Sequence, residues 1–405
     1  MIWAGSGLSR QHDAVKAAEE AASAAMAQAG QRTANLVFFF STADHAPHYE
    51  GMLAAVRRVT GTGNLVGCSG AGVMTSEGEI EGEKGVAVLA VAMDQGAAAP
   101  FLVRNLKSRD REAGREIGRL VAPYRQGDSL LALFPDTLNC NPEALFEGIR
   151  DTLGDIPIVG GGAADGGEGK RTFQMCGGKT ASNAVSGVLL TGSLNSSIGV
   201  TQACRPIGRP LRISTAEGNV IETLDDKPAL QALAETLGPG FGDDLRRLAG
   251  YIFVAFPVED PGTGAVFDRG GYIVRNIIGM DGERGSLSVG KEVEKGDTIS
   301  FVLRDPAGAR EDLKAMLEEE SAAGSLSAPR LGLYFNCCAR GTSLYGLDGI
   351  DAAFIRQAFG PLPVAGFFGF CEIASMRGLA RVHNYSGVMT VISEMPPATG
   401  GEPLQ

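Results

Sequence analysis

The sequence predicts a mixed α+β protein in two domains, in which repeated strand–helix–strand–strand units form mixed sheets with the helices packed outside. Three observations predict this fold class. One order of elements occurs three times along the chain, and such a recurrence indicates internal repeats. The second strand of every copy ends in small residues. A length of 405 residues is sufficient for about two to three domains with substantial cores.

The three copies cover residues 36–93, 129–191 and 331–392. Each opens with an apolar run whose length suits a buried strand, at 36–40, 130–134 and 331–335. Helical patterns follow at 49–59, 142–153 and 351–359. The closing strands are predicted at 85–91, 187–190 and 388–392.

Small residues end the second strand of each copy, at 67–70, 160–162 and 365–366. Glycine lacks a Cβ, so another backbone or a ligand can come close at such a place. A single glycine can also serve only to turn the chain. Recurrence at one place in the unit favours a cleft geometry that the copies share.

The segments before and between the first two copies have simpler patterns. Residues 9–30 predict an Ala-rich helix that begins at Ser9, with a weak apolar stripe of Val15, Ala18, Ala22 and Met26. Residues 78–82 predict an exposed hairpin tip. A strand at 101–106 and a charged outer helix at 110–121 lead into the second copy.

A change of pattern near residue 210 marks the junction between the predicted domains. Two prolines interrupt residues 205–210, and alternating segments predict a hairpin over 212–224, followed by a helix start at 225–228. We therefore predict an N-terminal domain of residues 1–225 with two repeat units and a C-terminal domain of residues 226–395. Strands at 251–256, 272–278 and 298–303 and a helix at 307–323 precede the last copy. The Pro- and Gly-rich tail, 396–405, is expected to be disordered.

Charge and cysteine usage exclude several classes of function. A formal net charge of −11 without a basic run disfavours nucleic acids and anionic membrane surfaces as partners. We expect no signal peptide and no membrane span, because the apolar segments are too short. Seven scattered cysteines fit a reducing compartment, and therefore a cytoplasmic protein. Without a Cys-x-x-Cys pair or a histidine cluster, we expect no metal site.

Familiar catalytic loops are incomplete in this sequence. The three glycines at 160–162 precede no helix start, and Phe173 stands where a phosphate-binding loop ending at Thr180 needs glycine. Ala71 stands where a nucleophile elbow needs its second glycine. We therefore expect no cofactor.

Cysteine chemistry is the alternative that would make the protein an enzyme. Cys68, Cys337 and Cys371 lie at predicted strand ends, where backbone N–H groups can lower a thiol pKa. Cys337 or Cys371 with His383 would form the dyad of a cysteine-dependent hydrolase or transferase. A free cysteine is, however, more often a small buried hydrophobic residue. Cys338 should point to the opposite sheet face from Cys337 if the strand continues.

Several short motifs, in this order, resemble those of FIST proteins. They are Leu-Val-Gly-Cys-Ser at 65–69, Arg-Pro-Ile-Gly at 205–208, Ala-Glu-Gly-Asn at 216–219, Leu224 with Pro-Ala-Leu at 228–230, Phe-Asn-Cys-Cys-Ala-Arg-Gly at 335–341, Pro-Val-Ala-Gly-Phe-Phe at 363–368, Glu-Ile at 372–373 and His-Asn-Tyr-Ser at 383–386. The chain departs from its relatives at Cys204, where they commonly carry an aromatic residue, and at Cys371, where they often carry glycine. The resemblance implies N-terminal and C-terminal FIST domains that bind a small intracellular ligand, with amino acids proposed, and that signal through a separate protein without catalysis.

An amino-acid ligand needs a cation or N–H groups for its carboxylate and an acid for its ammonium group. The last copy offers Arg340 for the carboxylate and Glu372 for the ammonium. Around them we predict further ligand-binding residues: Asn336, Cys337, His383 and Asn384. A second, backbone-lined pocket is predicted at Gly67, Cys68 and Ser69. In the alternative interpretation, Arg340 and Glu372 pair with each other and only hold loops together.

Overall fold

Three copies of one longer repeat make up most of the fold. The structure is a computed structural model that describes residues 1–30, 32–167, 170–238, 250–258, 267–323 and 328–394. The first copy comprises β1 (Ile2–Ser9), α1 (Ala14–Gln28), β2 (Leu36–Thr42), α2 (Tyr49–Thr60), β3 (Leu65–Gly70), β4 (Gly72–Thr75), β5 (Gly78–Glu81) and β6 (Val86–Met93). The second copy repeats this order with β7 (Gly96–Arg104), α3 (Asp110–Val121), β8 (Asp128–Pro135), α4 (Pro142–Leu153), β9 (Ile158–Gly162), β10 (Gln174–Cys176), β11 (Lys179–Ala181) and β12 (Ala184–Gly192).

The third copy is interrupted after its first strand, β13 (Leu194–Gln202), by an inserted unit. The insertion contains β14 (Cys204–Glu217), β15 (Val220–Leu224), β16 (Lys227–Pro228), α5 (Ala229–Leu237), β17 (Ile252–Pro257), β18 (Tyr272–Asp281), β19 (Ser286–Val289) and β20 (Thr298–Arg304). The copy then continues with α6 (Pro306–Ala323), β21 (Pro329–Cys337), α7 (Thr342–Tyr345), α8 (Ile350–Phe359), β22 (Val364–Gly369), β23 (Cys371–Met376), β24 (Leu379–His383) and β25 (Ser386–Glu394).

The predicted fold class is confirmed, and the repeat is longer than the sequence indicated. Each copy begins with an additional strand and helix, and a hairpin follows its parallel strand pair. The predicted boundary at residues 225 and 226 falls between β15 and β16, which pair with each other. The predicted disorder of the tail concerns residues outside the described part of the chain.

The copies exchange hairpins in a closed cycle. Each copy forms a six-stranded sheet from four of its own strands and one hairpin of another copy, in the orders β1-β6-β2-β3-β10-β11, β7-β12-β8-β9-β23-β24 and β13-β25-β21-β22-β4-β5. The segment predicted as an exposed tip at 78–82 is therefore largely β5, a strand of the third sheet. That prediction was wrong because β4, the partner of β5 in the hairpin, pairs with β22 of the third copy and so places β5 in that sheet.

The inner faces of the three sheets share one core. Phe40, Phe134 and Phe335 occupy equivalent positions on β2, β8 and β21, and their ring centroids lie 5.3 to 6.4 Å apart. Phe367 joins them from β22. The outer faces are covered by helix pairs, α1 with α2, α3 with α4, and α6 with α8. The predicted placement of the helices outside the sheets is confirmed.

The first helix differs from the prediction at its start and in its buried stripe. Asp13, rather than Ser9, caps α1 by accepting a hydrogen bond from the Lys16 amide. A Cβ at Gly5 would lie 2.0 Å from the Ala25 carbonyl oxygen, so the glycine allows α1 to pack closely against β1. Alanines form the buried stripe for this reason, while Val15 is 37% exposed.

At the recurring glycines, the backbone of a neighbouring strand packs in direct contact. Gly67, Gly160 and Gly366 stand at equivalent places, each opposite a residue of its parallel partner. A Cβ at these glycines would lie 1.7, 1.9 and 1.6 Å from the carbonyl oxygens of Phe39, Leu133 and Tyr334. These positions allow close strand pairing and leave no cleft, contrary to our expectation.

The inserted unit is a sheet that closes on itself. Its order is β14-β20-β17-β18-β19-β15-β16, and β14 also pairs with β15. The predicted hairpin at 212–224 is confirmed as β14 and β15, and the prolines at 206 and 210 lie in β14, whose register shifts between Ile207 and Leu211. Closure pairs the backbone groups that an edge strand would expose and surrounds a separate apolar core.

Replacement of Gly366 by alanine tests the role of the recurring glycines. We expect Gly366→Ala to lower the free energy of unfolding by at least about 3 kcal/mol, because its Cβ would overlap the Tyr334 carbonyl oxygen. Gly282→Ala is the control, since nothing lies within 4 Å of its added Cβ. Urea unfolding followed by circular dichroism measures both, and equal midpoints would contradict this account.

Candidate functional site

The predicted site residues of the third copy lie at the ends of β21, β23 and β24. Asn336, Cys337, Arg340, Glu372 and His383 are buried. Asn384 is half-buried; its Oδ1 accepts a hydrogen bond from Arg275 of the inserted sheet at 3.3 Å, and its Nδ2 donates to the Phe370 carbonyl at 3.5 Å. The predicted residues therefore stand where the third copy meets the inserted sheet.

Arg340 is engaged by a carboxylate that the sequence analysis did not assign to the site. It forms a fully buried ion pair with Asp351 of α8, 3.1 Å between Nη2 and Oδ2. Tyr334 and Asn336 donate to the same oxygen at 2.8 and 2.9 Å, and Arg340 also donates to the Tyr345 hydroxyl. Arg340 forms no ion pair with Glu372 in the described structure, so the interpretation in which these two residues pair is wrong.

Glu372 and His383 are opposite each other in the β23–β24 ladder. Glu372 Oε2 accepts hydrogen bonds from the Ser386 hydroxyl at 2.6 Å and the Ser386 amide at 3.3 Å. Burial raises the pKa of Glu372 well above its usual value and lowers the pKa of His383 to about 3. His383 is therefore neutral near pH 7, and burial disfavours the charged form of Glu372, which makes it a poor counter-charge for an ammonium group.

The predicted pocket of the first copy is filled by protein. The Ser69 hydroxyl donates to the Ala164 carbonyl at 2.7 Å and accepts from the Phe173 amide at 3.0 Å. Cys68 is buried in the central core. Gly67 pairs with Phe39, and its carbonyl accepts from the Ser186 hydroxyl. The structure does not bring these residues together with those of the third copy.

Glu79 and Glu81 reach the third copy from the first copy's hairpin. Glu79 is 2% exposed and accepts from the amides of Gly349 and Ala352 at the start of α8. Burial and the Asp351 carboxylate raise its pKa to about 8. Glu81 accepts from the Thr342 amide. The alternation of acidic and uncharged residues at 78–81 was the available signal for a strand here, but it does not indicate which strand is the partner.

The geometry does not support a cysteine–histidine dyad. The two ring nitrogens of His383 make no hydrogen bond within the described structure. A hydrogen bond with Cys338, together with burial, raises the pKa of Cys337, and burial raises the pKa of Cys371 to about 12. The chain turns after Cys337, so the Cys338 thiol meets that of Cys337 rather than pointing to the opposite face. The Cys337 and Cys371 thiols, whose pKa values are raised, are poor nucleophiles.

Unpaired buried polar atoms are concentrated on the predicted residues. In the described ranges, these atoms include Asn336 Oδ1, Arg340 Nη1, Glu372 Oε1 and both ring nitrogens of His383. Leaving such an atom without a partner costs about 1–3 kcal/mol. The cluster therefore holds donors and acceptors that protein atoms do not use.

An open cavity of about 340 Å³ lies beside this cluster, between β13, β18 and α6. None of the predicted site residues contributes to its described wall. The wall includes Gln202, Cys204, Phe267, Arg269, Tyr272 and Asp312. Gln202 is directly opposite Ser386 in the β13–β25 ladder, and Ser386 donates to Glu372. We name this hollow the neck cavity, because β14 leaves and α6 re-enters the third copy here.

Two family models match successive parts of the chain. A model of the FIST N domain matches residues 35–227, and a model of the FIST C domain matches residues 229–375. The protein belongs to the FIST family. FIST domains are sensory domains for small ligands, which gives the broad function of this FIST protein.

The relatives of the FIST protein extend over nearly the whole chain. An uncharacterized protein of Mycobacterium bovis is 30% identical over 392 residues, covering 96% of this chain and 98% of the relative. An uncharacterized protein of Mycobacterium tuberculosis is 29% identical over 391 residues, with the same coverage. The structure of a cyanuric acid hydrolase from A. caulinodans aligns with 98% of this chain and 100% of the hydrolase chain, at 10% sequence identity. Its TM-score of 0.37 is too low to support a conclusion about fold or function. In the described ranges, we find no helix with the length and apolar character needed to cross a membrane.

Removal of the charge on Asp351 tests the buried ion pair. We expect Asp351→Asn to lower the free energy of unfolding by about 3–5 kcal/mol, because Arg340 would remain buried without a counter-charge. The control is Asp155→Asn, which breaks an ion pair with Arg150 whose side chains are 68% and 61% exposed. Chemical denaturation measures both variants, and a loss no larger than that of the control would contradict the assignment.

The raised pKa of Glu79 predicts a specific dependence of stability on pH. Between about pH 5 and pH 8 the folded protein keeps a proton that the unfolded chain releases, so stability falls as pH rises, by at most about 1.4 kcal/mol per pH unit from this group. We expect Glu79→Gln to flatten this decline. Glu77→Gln, on the exposed side of the same hairpin, is the control. Denaturation curves across this range measure the slope, and parallel slopes for wild type and Glu79→Gln would disprove the assignment.

Proposed function

We propose that this FIST protein is a cytoplasmic, non-catalytic sensor that binds an amino acid and signals through a separate protein. The observation that carries the proposal is a continuous array of polar groups with unused hydrogen-bonding capacity. Gln202 Oε1, at the neck cavity, has no partner, and Gln202 stands opposite Ser386. Ser386 donates to Glu372, whose Oε1 is also unpaired. Such atoms are rare inside proteins unless water or a ligand completes them.

The chemistry of the array supports a ligand that both donates and accepts hydrogen bonds. Asn336 Oδ1 and Gln202 Oε1 accept, whereas Arg340 Nη1 donates, as does Glu372 in the neutral form that burial favours. A small metabolite with an amino and a carboxyl group matches this mixture. In this proposal Glu372 contributes as a neutral hydrogen-bonding group rather than as the counter-charge of an ammonium.

Two further observations support the remaining parts of the proposal. The cysteines in the described structure are free thiols, which is typical of a reducing compartment such as the cytoplasm. The buried thiols and the isolated His383 disfavour nucleophilic catalysis. Signalling through a separate protein is what the FIST resemblance implies for a chain of two sensory domains.

Isothermal titration of the twenty standard amino acids tests the proposal. We expect at least one to bind the wild type, and Glu372→Ala to weaken that binding at least tenfold, because Ser386 loses its acceptor and the array is broken. Glu222→Ala, on the exposed side of β15, is the control and should bind like the wild type.

Two outcomes of this titration would contradict different parts of the proposal. If no amino acid binds the wild type, the amino-acid assignment is wrong. If wild type and Glu372→Ala bind equally, Glu372 does not belong to the site.

A further inference from the structure

The neck cavity lies where the inserted sheet is attached to the third copy. The chain leaves after Ala203 and returns at Asp305, and the Asp305 amide donates to the Ala203 carbonyl at 3.0 Å. The wall consequently comes from the third copy, with Gln202 of β13 and Asp312 of α6, and from the inserted sheet, with Tyr272 of β18. A volume of about 340 Å³ lies within the range that holds small-molecule ligands.

Two polar atoms of this wall have no hydrogen-bond partner. Gln202 is 4% exposed; its Nε2 donates to the Tyr272 carbonyl at 3.2 Å, while its Oε1 is unpaired. Arg269 Nη1 is also buried and unpaired. The first atom needs a donor and the second needs an acceptor, so the two together select a ligand that carries both.

Asp312 adds a negative charge next to Gln202. Its Oδ2 accepts from the Thr201 hydroxyl at 2.8 Å and the Gln202 amide at 2.7 Å, which fixes the carboxylate. Its Oδ1 lies 3.8 Å from Arg269 Nε, beyond hydrogen-bond distance. Asp312 Oδ1 therefore keeps capacity for another donor.

The other charges around the cavity are already paired with each other. Arg205 contacts Asp305 and Glu311, both at 3.2 Å. Arg269 pairs through Nη2 with Glu319 and faces Asp312 through Nε at 3.8 Å, while its Nη1 has no partner among the described residues. Arg269 Nη1 and Asp312 Oδ1 are thus the charged-group atoms that keep hydrogen-bonding capacity for a ligand at this wall. The rings of Phe267 and Tyr272, 6.1 Å apart, and the Cys204 side chain provide an apolar surface beside them.

We propose that the neck cavity binds the charged groups of an α-amino acid with an apolar side chain. Gln202 Oε1 and Asp312 Oδ1 accept from the ammonium group, Arg269 donates to the carboxylate, and Phe267 and Tyr272 contact the side chain. Hydrogen bonds between charged partners are stronger than neutral ones, so both ends of the ligand are recognised. This assignment rests on the proposed function, for which it names the place and the ligand class.

A second cavity of similar volume lies between α4, β18 and β24, but it is a weaker candidate. Arg381 is half-buried, but three other charged side chains of its wall are largely exposed: Glu143 is 59%, Arg150 61% and Asp155 68% exposed. Arg150 and Asp155 also pair with each other at 3.0 Å. Side chains held this loosely do not form a preorganised polar site.

Calorimetry with three matched probes tests the assignment on the full-length chain. For each of the twenty amino acids, three probes are compared. They are the amino acid itself, the corresponding amide, which lacks the carboxylate, and the corresponding acid, which lacks the amino group. We expect an apolar amino acid to bind the wild type at least tenfold more tightly than either analogue. Arg269→Met should lose at least tenfold in affinity for the amino acid and bind the amide like the wild type.

Asp312→Asn should show the complementary pattern. It should lose affinity for the amino acid and the amide, and bind the acid without the amino group like the wild type. Glu318→Gln, elsewhere on α6, and Arg209→Met, an exposed arginine, serve as charge-matched controls and should bind like the wild type. Thermal unfolding midpoints verify that each variant is folded.

Failure of this assignment differs from failure of the proposed function. If no amino acid binds the wild type, both are wrong. If an amino acid binds and Arg269→Met and Asp312→Asn retain wild-type affinity, the neck cavity is not the site, although the sensor function stands. If Asp312→Asn does not fold, the test rests on Arg269→Met. Its affinities for the amino acid and for the amide are then compared with those of the wild type, and an equal loss of affinity for both probes would overturn the assignment.

Discussion

The packing of three equivalent phenylalanines against one another is the constraint on which the structure depends. Phe40, Phe134 and Phe335 come from three different sheets and meet in one fully shared core. Burying each ring contributes roughly 1.5–3 kcal/mol, but only when all three sheets are present. A single copy would leave its inner face in water. The repeat is therefore a unit of sequence rather than a unit that is stable alone.

Hairpin exchange strengthens this dependence with directional contacts. The β4–β5 hairpin of the first copy extends the third sheet, and it delivers Glu79 to the backbone amides at the start of α8. Acceptors at a helix N-terminus are favourable because the first amides have no partner within the helix. The exchange thus connects two copies far apart in sequence through a buried carboxylate. Asp351, the ion-pair partner of Arg340, lies on the same helix, next to that carboxylate.

Local signals predicted the parts of the fold that local forces determine. Residues 110–121 and 142–153 were predicted as helices and are α3 and α4, and Asn141 caps the second of them. β1 was missed because alternating small residues such as Gly5 and Gly7 carry no apolar periodicity, while their purpose is contact with α1. β5 was missed because the sheet that the β4–β5 hairpin extends belongs to another copy.

The candidate site shows the same difference between features that local sequence predicts and features that depend on tertiary contacts. A polar run after a buried strand drew attention to Asn336 and Arg340, and both are buried with unpaired atoms. Asp351 reads locally as an ordinary acidic residue in the first turn of a helix, and only tertiary structure places it against Arg340. Gln202, Arg269 and Asp312 come from separate elements and share no motif. Their proximity depends on the inserted sheet, whose contacts sequence patterns do not reveal.

Divergence among the copies explains why a site would form in the third one. Val73, Gln174 and Glu372 occupy equivalent positions of the exchanged hairpins, opposite Phe367, Cys68 and Gly161. A carboxyl group at that position occurs in the hairpin of the third copy, whose first strand is followed by the insertion. The insertion is also what creates the neck cavity, because its two connections diverge around Gln202 and Asp312. A ligand held between Arg269 of the inserted unit and Asp312 of α6 would contact both bodies at once, so binding energy would depend on their relative position. In the proposed mechanism, sensing therefore depends on an asymmetric insertion in an otherwise repetitive fold.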